Sequence, residues 1–378
     1  MPDPDVTEFV LTQLRPKGRA ARTVSAYLRA IGHGLSHFQR AGVILEERVA
    51  AGTYLSTPEL TAFATACKRG QRKLSIDKDE ASGRYSRFVE YLCWRAELVI
   101  GRTSSEASFE RARLALKRFK TRVGAVAPPP DASIQSPDAR GGLAKKQREN
   151  LLAVIRPDDE RNPWDDPALK ARNFAMVQLA YELGPRAGDV LSLKIRDTNL
   201  TRRPASVTFH RRHDDPEDPR KDQPVLKTKP RVLEISDELA LALELWIDRN
   251  RANRARFPEA RKHPFVFTNN RGEPLGQRGY QLVFKKLRTK FPELGKLVSH
   301  VLRHDWNDRW QDLRAESTDH SANWQREQCY AMGWADRSTM PARYASRAIA
   351  ASANKKIARM NSAAQARGEK SAQERERK

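Results

Sequence analysis

Apolar residues recur at helical intervals through most of this chain, and the intervals mark out its elements. Between Arg22 and Arg40, the residues Val24, Tyr27, Leu28, Ile31, Leu35 and Phe38 fall on one face with basic residues elsewhere, which predicts an amphipathic helix. Tyr85, Phe88, Val89 and Leu92 form a second stripe. Phe109, Ala112, Leu116 and Phe119 form a third, opened by a capping box from Thr103 to Glu106. Residues 1–125 therefore read as a helical bundle. The pattern breaks at AVAPPPDASIQSPDARGG, where prolines and small polar residues exclude a packed element and the PPP run stiffens a tether, so residues 126–142 read as a linker.

Beyond it, Met176, Leu179, Ala180 and Leu183 predict a helix that Gly184 can end. Pro185 suits the first turn of the next, which sets Arg186 at a helix start. VTFHR and RVLEIS predict short strands around a polar DDPEDPRKDQ loop, with Lys227 on the segment VLKTK between them. Helices resume at Asp237. In HVLRHDWND, His300 and Arg303 share a helix face, opposed by an apolar stripe of Leu302, Trp306, Trp310 and Leu313. The expected class is mainly α with a small β-sheet: a helical domain over 1–125, a mixed α/β domain over 143–350, and a tail over 351–378. The segment IAASANKKIARMNSAA, which leads into that tail, can form a helix with Ile349, Ile357 and Met360 as its apolar positions, and the last residues read as disordered, because GEKSAQERERK holds almost nothing to bury.

Composition narrows the partner. The 378 residues are enough for two cores, and 70 Lys and Arg against 47 Asp and Glu leave a net charge of +23, which calls for a polyanion. An acidic membrane is disfavoured, since no apolar run reaches the ~18 residues of a spanning helix, and MPDPDVTEF has no signal-peptide pattern. Double-stranded DNA in the cytoplasm, as part of a bacterial nucleoid, is the expected setting. Cys67, Cys93 and Cys329 are widely spaced within helix-like sequence and suggest neither disulfide nor zinc cluster. Arg111, Lys117 and Arg118 of the third helix, together with Lys229 and Arg231, are candidate DNA contacts, although a solvated helix face explains such charge equally well.

The chemistry resides in Arg186, Lys227, His300, Arg303, Trp334 and Tyr344, which stand in AYELGPRAGDVLSL, VLKTKPRVLEIS, SHVLRHDWND and AMGWADRSTMPARYASR. In that order and setting the chain resembles the tyrosine recombinase and phage-type integrase family. The residue types suit its reaction. A phenol of pKa about 10 must lose its proton to attack a phosphodiester, and the transition state gathers negative charge. Two arginines, permanently charged and forked, can clamp the nonbridging oxygens without a metal or other cofactor. The resemblance implies a core-binding (SAM-like) bundle and a catalytic domain closing around duplex DNA. Tyr344 would be the nucleophile, Arg186 and Arg303 the clamp, His300 the base, Lys227 the acid toward the 5′ oxygen, and Trp334 an N–H donor where histidine is frequent. Asp189, one turn after Arg186, would orient that guanidinium, and His304 would support the site or bond to Asp308. The pair His300 and His304 has no intervening glutamate of the HExxH kind, so no zinc site is expected.

By the same resemblance the enzyme would be a recombinase of a mobile element that cuts and rejoins DNA through a 3′-phosphotyrosyl bond. It would act as a homotetramer on two duplexes, with accessory DNA-bending or directionality proteins as further partners. Two other readings share these residues: a type IB topoisomerase-like relaxing enzyme and a non-catalytic DNA-binding regulator. LGPR stands where the family commonly has TGLR, the spacing from Arg303 to Tyr344 is longer than usual with its surplus in RAESTDHSANWQRE, and Lys229 competes with Lys227 for the acid's role.

Overall fold

The computed structural model describes residues 3–70, 76–102, 105–129, 141–318, 323–342, 344–345 and 356. The chain divides into two units, Met1–Ile134 and Gln135–Lys378.

The first unit is helical: α1 (Pro4–Phe9), continued by a π-helical turn to Leu14, α2 (Ala21–Arg40), α3 (Leu45–Ala50), α4 (Thr57–Cys67), α5 (Lys78–Gly101) and α6 (Glu106–Val126). Ser56 and Glu59 cap α4 reciprocally, and Asp77 caps α5 by accepting from Asp79 and Glu80 N–H. The core is aromatic, Phe38 stacking on Phe88 and Phe63 on Tyr85. Phe88 lies over Gly34, where a Cβ would stand 2.2 Å from the ring, so α2 and α5 approach as only glycine permits. Leu28, expected in the α2 stripe, is instead 44% exposed: one residue past Tyr27 it rotates off the face that α5 covers. The α6 stripe is observed, but Thr103 of the expected capping box lies outside the described residues.

The second unit runs α7 (Lys145–Val154), α8 (Pro167–Leu183), α9 (Ala187–Leu191), β1 (Thr198–Asn199), β2 (Ser206–Phe209), β3 (Arg231–Glu234), α10 (Asp237–Glu244), α11 (Gln277–Lys290), α12 (Ser299–Glu316) and α13 (Asn323–Met332). Helix α8 is central, buried without interruption from Arg172 to Ala180 and flanked by α10 and α12. It ends at Gly184 in the left-handed region (φ 56°), against Trp306. The sheet is antiparallel in the order β1-β2-β3, with Val207 opposite both Thr198 and Leu233. Strand β2 stops at Phe209, two residues before the expected end of VTFHR, and β1 has no counterpart in the expected pattern.

Helix α12 differs most from expectation. Its buried face is Leu302, Arg303, Asp305 and Asn307, and Leu313 of the expected apolar stripe is 54% exposed. Asp305 explains the inversion. Its carboxylate accepts from Leu143 N–H (3.1 Å), Arg148 Nε (2.7 Å) and Arg309 Nε (3.0 Å), so the face that looks polar is the one that fastens the domain's first residues. Asp308 accepts from Gly142 N–H at 2.8 Å and extends the same seam. The tail residues Ile349, Ile357 and Met360 lie outside the described residues.

Candidate active site and nucleic-acid interface

Arg186 is the N-cap residue of α9, and its N–H donates to Asp189 Oδ2 at 3.1 Å. That carboxylate was expected to orient the Arg186 guanidinium. Its ion pair is with Arg231 Nη2 instead, at 3.1 Å, both side chains being 0% exposed. Arg231 is consequently no surface DNA contact: it also donates to Ala331 O (2.8 Å) and Thr228 Oγ1 (3.0 Å) and lies over the Phe209 ring. Register explains the reversal, since Arg231 pairs with Phe209 at the start of β3 and its side chain turns inward beneath α9.

Arg303 is fully buried, with Nη1 donating to Gly184 O at 2.8 Å and Nη2 to Met332 O at 3.3 Å. It therefore links the turn before Arg186 to the turn before Trp334. Burial, then repulsion from Arg186, pulls the Arg303 pKa down to about 10, and the neighbouring Tyr344 and Asp189 oppose that fall. Two guanidiniums are thus held close enough to disfavour one another. Arg186 Nη1, Arg303 Nε and Trp334 Nε1 are moreover buried without a hydrogen-bond acceptor among the described residues. Each such donor costs about 1–3 kcal/mol, and an anion received among them would offset that cost.

The phenol completes the cluster. Tyr344 stacks on Trp334, ring centroids 5.3 Å apart and planes at 20°, and the Trp334 ring in turn lies beneath the Arg303 guanidinium at 5.3 Å. His304 packs on Tyr344 at 5.0 Å and on His300 at 4.6 Å. The imidazole against the phenol is thus His304, for which no chemical step was expected, while His300 is exposed one ring further out. Gly333 sets the angle of the Trp334 turn: its φ is 65°, and a Cβ there would stand 2.8 Å from both Arg231 Nη1 and Thr228 Cβ. Arg343 lies outside the described residues.

Lys227 stands in the β2–β3 connection, four residues ahead of β3 rather than on a strand. It is exposed between buried Leu226 and Thr228, and no ion pair or hydrogen bond engages it among the described residues. Lys229 is tied to Asp336 by its Nζ (3.0 Å) and to Gly333 O by its N–H (2.8 Å). Of the two rivals, Lys227 is the one free to reach a ligand.

In the first unit Arg111, Lys117 and Arg118 are all exposed on α6. A larger basic feature is not visible in the sequence: a groove between α2, α4 and the start of α5, lined by Arg29, Arg40, Arg69, Arg84 and Arg87 and by small residues such as Ala26, Ala62 and Thr65. Its volume of about 1860 Å³ exceeds the ~300–1,000 Å³ of a small-molecule pocket. Burial and the adjoining arginines depress the pKa values of His33 and His37 inside it. These arginines are scattered over α2, α5 and the segment after α4, and only the spacing of small residues on α2 and α4 hints at an open face.

Among the described residues no helix is long and apolar enough to cross a membrane, and no group of three His, Cys, Asp or Glu side chains is placed to hold a metal ion.

Residues 143–348 match the phage integrase family. A tyrosine recombinase XerC from Roseiflexus sp. (strain RS-1) is 29% identical over 188 residues, covering 50% of this chain and 53% of that relative. A tyrosine recombinase XerD from Halalkalibacterium halodurans is 25% identical over 219 residues, covering 56% and 65%. The chain spans about half the length of the XerC relative and under two thirds of the XerD one. Among solved structures, XerA recombinase aligns over 89% of this chain and 91% of its own at 16% identity and a TM-score of 0.38. The Tn1549 transposon integrase in complex with transposon right end DNA aligns over 83% and 94% at 15% identity and a TM-score of 0.41.

Proposed function

This chain belongs to the phage integrase family, and from that membership we propose that it is a site-specific DNA recombinase of a mobile element, cutting and rejoining strands through a 3′-phosphotyrosyl intermediate. The observation that carries the reading is the convergence of Tyr344 with Arg186, Arg303 and Trp334, whose buried N–H donors lack acceptors among the described residues.

In this mechanism the scissile phosphate enters between the two guanidiniums, displacing the stacked Tyr344 ring outward by enough to admit its nonbridging oxygens. Arg186, Arg303 and the Trp334 indole donate to those oxygens as charge accumulates on them. Tyr344 Oη attacks phosphorus while its proton passes to the imidazole pair, His304 being the nearer ring. The bond from phosphorus to O5′ breaks, and Lys227 Nζ supplies the proton that O5′ takes. The free 5′-hydroxyl of a partner strand then reverses the sequence, conserving the ester's energy. The arginine groove of the first unit and the exposed cations of α6 supply phosphate contacts along duplex DNA. Two duplexes held by four copies provide the partner strands.

Incubation with DNA from the native locus, followed by a denaturing gel and junction sequencing, maps the cleavage position. On a suicide substrate built on that position, Tyr344→Phe is expected to lose all covalent adducts and to keep wild-type DNA affinity and salt dependence. Adducts persisting in that variant would remove Tyr344 as nucleophile. Relaxation of arbitrary plasmid without recombinant product would favour a topoisomerase instead.

A further inference from the structure

Lys194 is a lysine with no solvent exposure, and a buried ammonium is retained only where carboxylates meet it. It lies at 2.6 Å from Asp215 Oδ2 and 2.7 Å from Glu217 Oε2, both in the acidic stretch that the sequence presents as a mere polar loop. Arg196 also reaches Glu217, and Arg196 and Lys194 together hold the Glu217 carboxyl down at about 2. The same stretch is closed on itself by Gln223, which accepts from Asp215 N–H (2.9 Å) and donates to Asp215 O and Asp218 O (both 3.0 Å). Arg220, paired with Asp218, donates to Leu191 O (3.1 Å) and Leu275 O (2.7 Å).

These bonds fasten the β2–β3 connection to the segment that directly follows α9, the helix opening on Arg186. Downstream the chain stays held: Val225 O passes so near Gly188 that a Cβ there would stand 2.8 Å away, and Lys229 N–H is bonded to Gly333 O. Lys227 is the exposed residue between these two fixings. We propose that Lys194, acting through Asp215 and Glu217, is a positioning residue that sets Lys227 for proton donation to the departing O5′. The inference rests on Lys227 being the general acid, and the test separates the two.

The full chain is assayed on two nicked suicide duplexes carrying the mapped cleavage site, one with the ordinary phosphodiester and one with sulfur replacing the bridging 5′ oxygen. A thiolate leaves without being protonated, so only defects in acid catalysis are relieved by it. Lys227→Ala is expected to lose cleavage of the oxygen substrate and to recover it on sulfur. Lys194→Met is expected to cut the oxygen substrate about 10²-fold more slowly, as a displacement near 1 Å costs, to recover on sulfur, and to bind DNA as the wild type does. Should Lys194→Met fail to fold, Glu217→Gln, whose side chain is 40% exposed, is expected to show a smaller loss with the same recovery. Equal losses on both substrates, or no loss, would overturn the positioning role. A Lys227→Ala defect that sulfur does not relieve would instead overturn the acid assignment beneath it.

Discussion

Replacing Arg231 by methionine distinguishes a buried strut from a DNA contact. Its guanidinium and the Asp189 carboxylate are 3.1 Å apart with both side chains wholly buried, and no other ion pair engages Asp189 among the described residues. Removing one member of such a pair leaves the other charged and uncompensated, which costs about 3–5 kcal/mol. The bonds to Ala331 O and Thr228 Oγ1 disappear as well. A phosphate contact at the surface would instead leave stability within about 0.5 kcal/mol and flatten the salt dependence of DNA binding by about 0.9 in slope. Urea denaturation followed by tryptophan fluorescence reads the second unit, which holds every tryptophan except Trp94. Arg231→Met is expected to lower stability by about 3–5 kcal/mol, and adding Asp189→Asn to cost less than the sum of the singles, with a coupling of about 0.5–3 kcal/mol. A single variant as stable as the wild type, with a shallower salt slope, would refute this reasoning and return Arg231 to the DNA surface.

Two further outcomes are expected of the first unit. Arg29→Ala with Arg40→Ala, in the lining of the groove, should flatten the salt slope by about 0.9 for each phosphate no longer neutralised, whereas Lys117→Ala with Arg118→Ala should change it less; fluorescence anisotropy at several salt concentrations checks this, and the opposite ranking would place the principal DNA-binding surface on α6. His33 and His37 have folded-state pKa values below the ordinary 6.5, so below that pH the unfolded chain binds more protons and stability falls as acid is added. Thermal melts between about pH 7 and about pH 5 should show that fall, reduced in His33→Asn with His37→Asn, and an unchanged slope in the double variant would rule it out.

Much of the architecture is legible in the sequence because it obeys simple periods. The stripes of α2, α5 and α6, the stop at Gly184 and the placing of Arg186 at a helix start all follow from spacing and from one residue that tolerates positive φ. The failures share a cause. Periodicity puts Leu313 in a buried stripe and leaves Asp305 and Asn307 to solvent, because sequence pattern equates polarity with exposure, whereas those two are buried among specific partners. Arg231 is misread in the same way: a cation looks solvated until its carboxylate, 42 residues distant in the chain, is known. The choice between Lys227 and Lys229 likewise turns on Asp336, and the imidazole beside Tyr344 on the rotation of α12, neither of which any local rule supplies.

Arg303 commits both terminal nitrogens to main-chain carbonyls, one at Gly184 and one at Met332. The residue that would grip substrate is therefore also the rivet between two stretches of backbone, and a lysine, which lacks the planar fork of separate nitrogens, does not reproduce that geometry. Lineages of this fold that abandon catalysis while still gripping DNA should accordingly discard the peripheral Tyr344 or Lys227 first and leave this arginine untouched, so its persistence alone is poor testimony that a descendant still cuts.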